Sequence, residues 1–356
     1  MLFLILLIAS LIVSFLTVVQ IKQRFSQHLL DIPNDRSSHT QPTPRGGGLG
    51  FIVAFAVTSA LAKLSEVLVS YRSNSYDSQL TNPNPAFLWL ILTPLVIIGI
   101  IDDQRGVPAS LRYLIQLIAA GVTVAYFGTF PQPWLTGLGT VGTIIAIAFT
   151  IIGMTAFINF YNFMDGLDGL VAGVTAVQLS FLGYYLNQPL FWLLAAALLG
   201  FLWWNWSPAK IFMGDAGSTV LGASVAIALL NSNTDPIQAW SALTITLPLI
   251  GDAIYTLIRR LIRRENIFKA HRTHLYQRLQ QAGWSHAQVT IAYIIATSLI
   301  ILAITTLGTT GIGLSLVGVV LAIAIGELYL RSQLAVAKTF VKVIQDWGIR
   351  SLSEPK

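Results

Sequence analysis

The chain has 356 residues, of which 54% are hydrophobic and only 10% charged. Soluble domains carry about a quarter charged residues, so this composition excludes an ordinary water-soluble protein. The absence of cysteine excludes disulfides, thiolate metal ligands and a cysteine nucleophile. The net charge of +6 invites a nucleic-acid partner, but the distribution of that charge argues against one.

Apolar runs lie near 1–21, 47–63, 85–101, 112–128, 139–157, 169–186, 189–204, 216–231, 238–258, 288–306 and 311–330. Crossing about 30 Å of hydrocarbon takes roughly 20 residues of helix. Lipid offers no partner to an unpaired backbone group, so every span is predicted helical. The expected fold class is all-α, a polytopic membrane helical bundle of about eleven transmembrane helices in one domain over 1–356. The first run has no basic residues before it, and Lys22 and Arg24 follow it, which reads as an uncleaved anchor.

All but Lys63 and Arg72 of the 21 lysines and arginines fall in one set of loops and the tail. By the positive-inside rule that set is cytoplasmic, and an odd helix number puts the N-terminus outside and the C-terminus in the cytoplasm. The outer connections at 64–84 and 128–138 read as connectors. The inner ones are rich in Asp, Asn, Gly, His and Arg. Function is expected on loops held by a rigid scaffold, hence on the cytoplasmic face.

In chain order, the first inner segment is DIPNDRSSHTQPTPRGGGLGF at 31–51. Its prolines hold an extended loop, and Gly46-Gly47-Gly48 permits tight packing as the second span begins. It is not a Walker loop, because the GK[ST] ending is missing. Arg36, Ser37, His39 and Arg45 are candidate contacts for an anionic substrate. The second segment, IDDQRG at 101–106, ends the third run with Asp102 and Asp103. Adjacent helical residues diverge by about 100°, so one of the two is expected to face a site. A metal ligand or general base competes here with plain polar punctuation.

The third segment, NFYNFMDGLDGL at 159–170, places Asn159, Asn162, Asp165 and Asp168 three apart. That spacing drifts about 60° per step on a regular helix, so the four cannot share one face. Gly166 and Gly169 predict a helix end near Met164 and a new start near Asp168, with an N-cap as the bland role for Asp168. Four oxygen-bearing side chains at a break near the membrane are costly unless they serve a ligand.

The fourth segment, WNWSPAKIFMGDAGSTVLG at 204–222, sets Asp215 ahead of a span whose helix N-terminus suits an anion. An Asp at such a place suits Mg²⁺, which is held by one or two carboxylates together with substrate phosphates; a mere helix cap is the alternative. Lys210 is a candidate phosphate contact. The fifth segment, RRLIRRENIFKAHRTHLYQRL at 259–279, begins as an amphipathic continuation of the preceding span. Its arginines at 259, 260, 263 and 264 serve topology and anionic lipid as readily as chemistry. His271, Arg272 and His274 leave the apolar pattern and add donors suited to phosphate. Asp252, inside the preceding run, is placed to pair with the arginines or to face the site.

Taken together, DIPNDRSSHTQPTPRGGGLGF, IDDQRG, NFYNFMDGLDGL, FMGDAGSTVLG and AHRTHLYQRL resemble the motifs of the polyprenyl-phosphate N-acetylhexosamine-1-phosphate transferases, in order and spacing across almost the whole chain. The resemblance implies transfer of a sugar 1-phosphate from a UDP-sugar to undecaprenyl phosphate, with release of UMP at the cytoplasmic face of a bacterial inner membrane. It implies Mg²⁺, with Mn²⁺ as a substitute. Residue by residue, Asp215 and Asn162 match the metal ligands, and Asp102 and Asp103 the acidic pair, one of which is proposed to deprotonate the lipid phosphate. Asp165 and Asp168 match positions assigned to nucleotide-sugar or metal binding, and His274 a histidine near the pyrophosphate. Substrate contact is expected of Arg36, His39, Arg45, Asn159, Lys210, His271 and Arg272. The implied partners are undecaprenyl phosphate, a UDP-N-acetylhexosamine, the bilayer and a second copy as homodimer, with no nucleic acid.

The late loop reads His271-Arg272-Thr273-His274 rather than three consecutive histidines, which argues against a muramoyl-pentapeptide substrate. It looks like the branch that starts O-antigen or other surface polysaccharides. A membrane transporter with a cytoplasmic-side acidic site is the rival from another class, but transporter sites sit at midplane between repeated halves and no repeat is visible. A CDP-alcohol phosphotransferase fits less well, because DGLDGLVAG lacks that family's arginine.

Overall fold

Ten of the eleven apolar runs form one helix each, and the 238–258 run forms two. The computed structural model describes residues 1–25, 30–33, 38, 41–73, 80–230, 235–267, 269 and 271–346, the side chains of 25, 69–73 and 334–346 excepted. The helices are α1 (Leu2–Phe25), α2 (Gly48–Ser73), α3 (Pro85–Arg105), α4 (Ala109–Phe127), α5 (Gly139–Met164), α6 (Leu170–Tyr185), α7 (Leu190–Asn205) and α8 (Asp215–Leu230). They continue with α9 (Pro236–Thr244), α10 (Leu247–Ile262), α11 (Leu275–Gln281), α12 (His286–Leu307) and α13 (Thr309–Asp346). One two-residue antiparallel ladder, β1 (Leu30–Asp31) with β2 (Thr43–Pro44), folds the N-terminal loop back on itself.

The chain is thus an all-α polytopic membrane protein. Among the described residues, seven helical segments are long and apolar enough to cross a bilayer, and an eighth is counted if the bent pair α9–α10 is one span. That pair turns by 72° at Ile245–Thr246, just before Pro248 in the first turn of α10. Proline lacks an N–H and suits a helix start, so it restarts the helix rather than continuing it. The remaining three apolar runs make α6, α7 and α8, of 16 residues each. At 1.5 Å per residue they are about 24 Å long, and they lie inside the bundle rather than against lipid.

In α8 every residue from Ala216 to Leu230 is buried, and the helix packs against α2, α3, α5 and α6. Small residues make that approach possible. A Cβ on Gly99 would lie 2.4 Å from Ala216 Cα, so α3 crosses α8 backbone to backbone. The ends of α3 and α5 and the starts of α2 and α8 therefore meet at one end of the bundle. Phe130, Trp134 and Trp240 gather at the other end.

Candidate active site

At the end of α3 the two aspartates diverge as their helical spacing requires. Asp103 accepts hydrogen bonds from the backbone N–H of Asp215 at 2.9 Å and of Ala216 at 3.3 Å. Its carboxylate so caps the first turn of α8, where unpaired N–H groups and the helix dipole favour an anion. Gly214 makes room for it: its φ is +80°, and a Cβ there would come within 2.7 Å of Asp103 Oδ2. Asp102 leaves the first turn of α8 to Asp103 and lies against the Asp215 carboxyl from another side, accepting from Val107 N–H at 2.7 Å and from Arg112 Nη1 at 2.5 Å. The same guanidinium nitrogen stands 4.0 Å from Asp215 Oδ2.

The four Asn and Asp positions of the third segment separate in the same way. Asn159, still inside α5, donates to Gln116 Oε1 at 2.7 Å and to Thr155 C=O at 2.8 Å, tying α5 to α4. Asn162, in the last turn, donates to Asp215 Oδ1 and Ser218 Oγ, both at 3.0 Å. With its amide hydrogens so placed, its carbonyl oxygen is the atom it offers a cation. The helix ends at Met164 as expected, but α6 begins at Leu170 with Gly169 as its N-cap. Asp168 is therefore not the cap. It accepts from Ala209 N–H at 3.1 Å and lies 3.2 Å from His286 Nδ1.

These ends enclose a cavity of about 290 Å³, walled by Asp31, Arg45, Asp103, Asp165, Asp168, Asp215, His286 and the 212–214 backbone, among others. Burial, reinforced by the Asp215 and Asp103 charges, pushes the Asp165 carboxyl up to about 8. Burial works against the charge of Asp168 too, but the His286 imidazole and the Ala209 N–H outweigh it and hold that carboxyl below the usual range. Three carboxylates crowded at Asp103, Asp165 and Asp215 form a site that a divalent cation would relieve. Among the described residues no three Asp, Glu or His side chains form a closed ligand set.

The N-terminal loop supplies Arg45, whose Nη2 pairs with Asp31 Oδ2 at 2.8 Å. Arg36, Ser37 and His39 lie outside the described residues. Lys210 is exposed, 5.4 Å over the Trp204 ring, which Lys22 also approaches at 5.4 Å. Those contacts are cation–π pairs at the interface, outside the cavity wall.

The late loop is pinned from within α10. Asp252 is 1% exposed and accepts from Leu275 N–H at 2.8 Å, Tyr276 N–H at 3.0 Å and Tyr293 Oη at 2.7 Å. It therefore caps α11 and neither pairs with the arginines nor faces the cavity. Its Oδ1 is 3.7 Å from Nδ1 of the buried His274. His271 is drawn down to about 4 by burial and by the neighbouring His274, Arg260 and Arg259, so it offers hydrogen bonds rather than charge near neutral pH. Arg272 donates to Ser38 Oγ at 3.1 Å.

The first two arginines of the basic run differ from expectation. Arg259 reaches Glu327 and the Thr273 carbonyl, and Arg260, 7% exposed, pairs with Glu265 at 2.8 Å. Arg259 braces the loop against α13 and Arg260 ties the loop to itself through Glu265 and the Asn266 carbonyl; Arg263 and Arg264 are exposed.

Sequence reasoning missed His286, Ser38, Asp31, Asn205 and Phe212 in the cavity wall. A signal existed for His286. Ser285 with Gln288 is a capping box that starts α12 and so puts His286 in its first turn, at the polar end.

Residues 86–233 match the family model described as glycosyl transferase family 4. The chain is similar to a probable undecaprenyl-phosphate N-acetylglucosaminyl 1-phosphate transferase of Bacillus subtilis (strain 168), 30% identical over 311 residues and 81% of each chain. It is 30% identical to a decaprenyl-phosphate N-acetylglucosaminephosphotransferase of Mycobacterium leprae (strain TN), over 73% of this chain and 72% of that one. It is also 29% identical to a phospho-N-acetylmuramoyl-pentapeptide-transferase of Limosilactobacillus reuteri (strain DSM 20016), over 76% of this chain and 84% of that one.

Proposed function

This chain belongs to the polyprenyl-phosphate N-acetylhexosamine 1-phosphate transferases of glycosyl transferase family 4, and from that premise we propose that it transfers an N-acetylated aminosugar 1-phosphate from a UDP-sugar to undecaprenyl phosphate, releasing UMP. The observation that carries the proposal is the convergence of Asp103, Asp165 and Asp215, with Asn162 on Asp215, around one cavity at one end of the bundle. Transfer between two anions needs positioning and charge neutralisation above all.

Asp215 and Asn162 would hold Mg²⁺, which supplies neutralising charge to the pyrophosphate and to departing UMP. Asp103 holds the first turn of α8 and so fixes where Asp215 points. Arg45 and Arg272 bring positive charge to the rim. The lipid phosphate is already largely ionised near neutral pH, so it attacks directly without needing a general base. Asp102, bound to Arg112, serves the arrangement rather than the proton.

The reading extends to eleven spans, with α6, α7, α8 and the bent α9–α10 pair each counted as one. It places the N-terminus outside, the C-terminus in the cytoplasm and the site facing the cytoplasm of a bacterial inner membrane. The His271-Arg272-Thr273-His274 loop supports a surface-polysaccharide branch such as O-antigen initiation over a muramoyl-pentapeptide substrate.

The test is UMP release by purified protein given undecaprenyl phosphate, Mg²⁺ and UDP-N-acetylglucosamine, UDP-N-acetylfucosamine or UDP-N-acetylquinovosamine. Release with at least one sugar, abolished by chelation, is expected. Silence with every sugar, lipid and metal being verified, would sink the proposal.

A further inference from the structure

His286 has no place in the chemistry set out above, yet it lines the cavity. The capping box of Ser285 and Gln288 fixes the start of α12 and with it the backbone of His286. The ring is three-quarters or more shielded, with 15% of the side chain exposed, and reaches two different segments. Nδ1 stands 3.2 Å from Asp168 Oδ2, and Nε2 stands 3.2 Å from the carbonyl oxygen of Ser38. The Asp168 carboxylate and the Ser38 carbonyl are acceptors, and the Asp168 backbone N–H, 3.4 Å away, donates towards Nδ1, so the ring meets Asp168 at side chain and backbone together.

The two segments joined by this ring have little else in common. Asp168 lies in the short break between α5 and α6, and Thr290, one turn further along α12, donates to its carbonyl at 2.9 Å. Ser38 belongs to the N-terminal loop, and its hydroxyl accepts from Arg272 Nη2 at 3.1 Å. Residues from the last third of the chain therefore hold Ser38 at two atoms and Asp168 at three, and both residues line the cavity.

We propose that His286 is a positioning residue for the nucleotide-sugar, holding the Asp168 carboxylate and the Ser38 backbone at their places in the wall of the binding cavity. The inference rests on reading that cavity as the UDP-sugar site. It places His286 outside bond making: the ring acts through Asp168 and Ser38, and its loss should weaken nucleotide binding while leaving the chemical step near its normal rate. A charge-assisted hydrogen bond of this kind is strong enough for its loss to cost about tenfold or more in affinity.

The experiment uses the full chain in detergent with Mg²⁺, measuring UDP binding by calorimetry, kcat and KM for the UDP-sugar, and apparent Tm. His286→Ala should raise the Kd for UDP and the KM about tenfold or more, with kcat within about threefold of wild type. His286→Asn sets an amide nitrogen close to the Nδ1 position, retains the Asp168 contact and should recover most of the affinity. His286→Gln reaches the Nε2 position instead and should recover less. Equal affinity in His286→Ala and wild type overturns the proposal. So does an equal loss in Ala, Asn and Gln variants that tracks a common fall in Tm, since that is the mark of a merely structural residue. A wild-type protein that binds no UDP and turns over no sugar overturns instead the reading of the cavity itself.

Discussion

Asp215 and Asp165 line the same cavity with different neighbours. Asp215 begins α8, receives the Asn162 amide and has Arg112 4.0 Å away. Replacing it with asparagine keeps the shape and the capping capacity but removes the charge that a cation needs. Asp215→Asn is expected to cut UMP release at least about 100-fold while size-exclusion behaviour and apparent Tm stay near wild type. Retained activity with unchanged Mg²⁺ dependence would show that the metal is held elsewhere.

Burial, with the Asp215 and Asp103 charges, holds the Asp165 carboxyl up at about 8 in the folded chain, well above the ordinary carboxylate range of about 4. The folded state keeps a proton that the unfolded state gives up, so this group's contribution to stability is full below about 4 and falls as pH rises to about 8. A bound divalent cation favours the carboxylate and counters that loss. The increase in Tm on adding Mg²⁺ should therefore be larger at about pH 8 than at about pH 6. An equal increase at both values would separate Asp165 from the metal.

At the scale of elements, two aspartates do the same mechanical work at different places. Asp103 caps α8 from α3, and the buried Asp252 caps α11 from α10. Each accepts from backbone N–H groups that the first turn of a helix leaves without an intrahelical partner. Gly214 is the hinge point of the first junction. Gly214→Ala brings a side chain to a backbone with φ of +80° and to within 2.7 Å of Asp103 Oδ2. It is expected to cost about 1–3 kcal/mol, read as a lower Tm, and to reduce turnover by displacing Asp103 and Asp215 together. The Arg259, Arg278 and Glu327 cluster fastens the late loop to α13 in the same spirit. The amphipathic pattern left Arg259 between topology, anionic lipid and chemistry, and pattern alone does not distinguish a headgroup from an acidic residue on a later helix.

For the molecule as a whole, orientation has a direct assay because the chain contains no cysteine. Thr136→Cys on the turn before α5 and Arg263→Cys after α10 both lie at exposed positions. In intact cells a membrane-impermeant thiol reagent should label the first and spare the second until the membrane is opened. Reversed labelling would invert the topology and place the cavity outside.

The helices, their membrane character and most of the charged groups of the cavity, Asp31 and His286 excepted, were legible in the residues alone. Hydrophobic run length reports burial in lipid, and polar residues at run ends are too costly there to be accidental. Two properties lay beyond that local information. One was which of two neighbouring acids faces the site: Asp103 and Asp102 differ only in the direction their helix gives them, and that direction has meaning only once α8 is in place. The other was the set of contacts between residues far apart in the chain, such as Asp168 with His286 and Asp252 with the start of α11. Hydrogen bonds are short and directional, so those pairings exist only after packing has brought the elements together. That packing turned an acidic, one-sided set of motifs into a cavity with a defined wall.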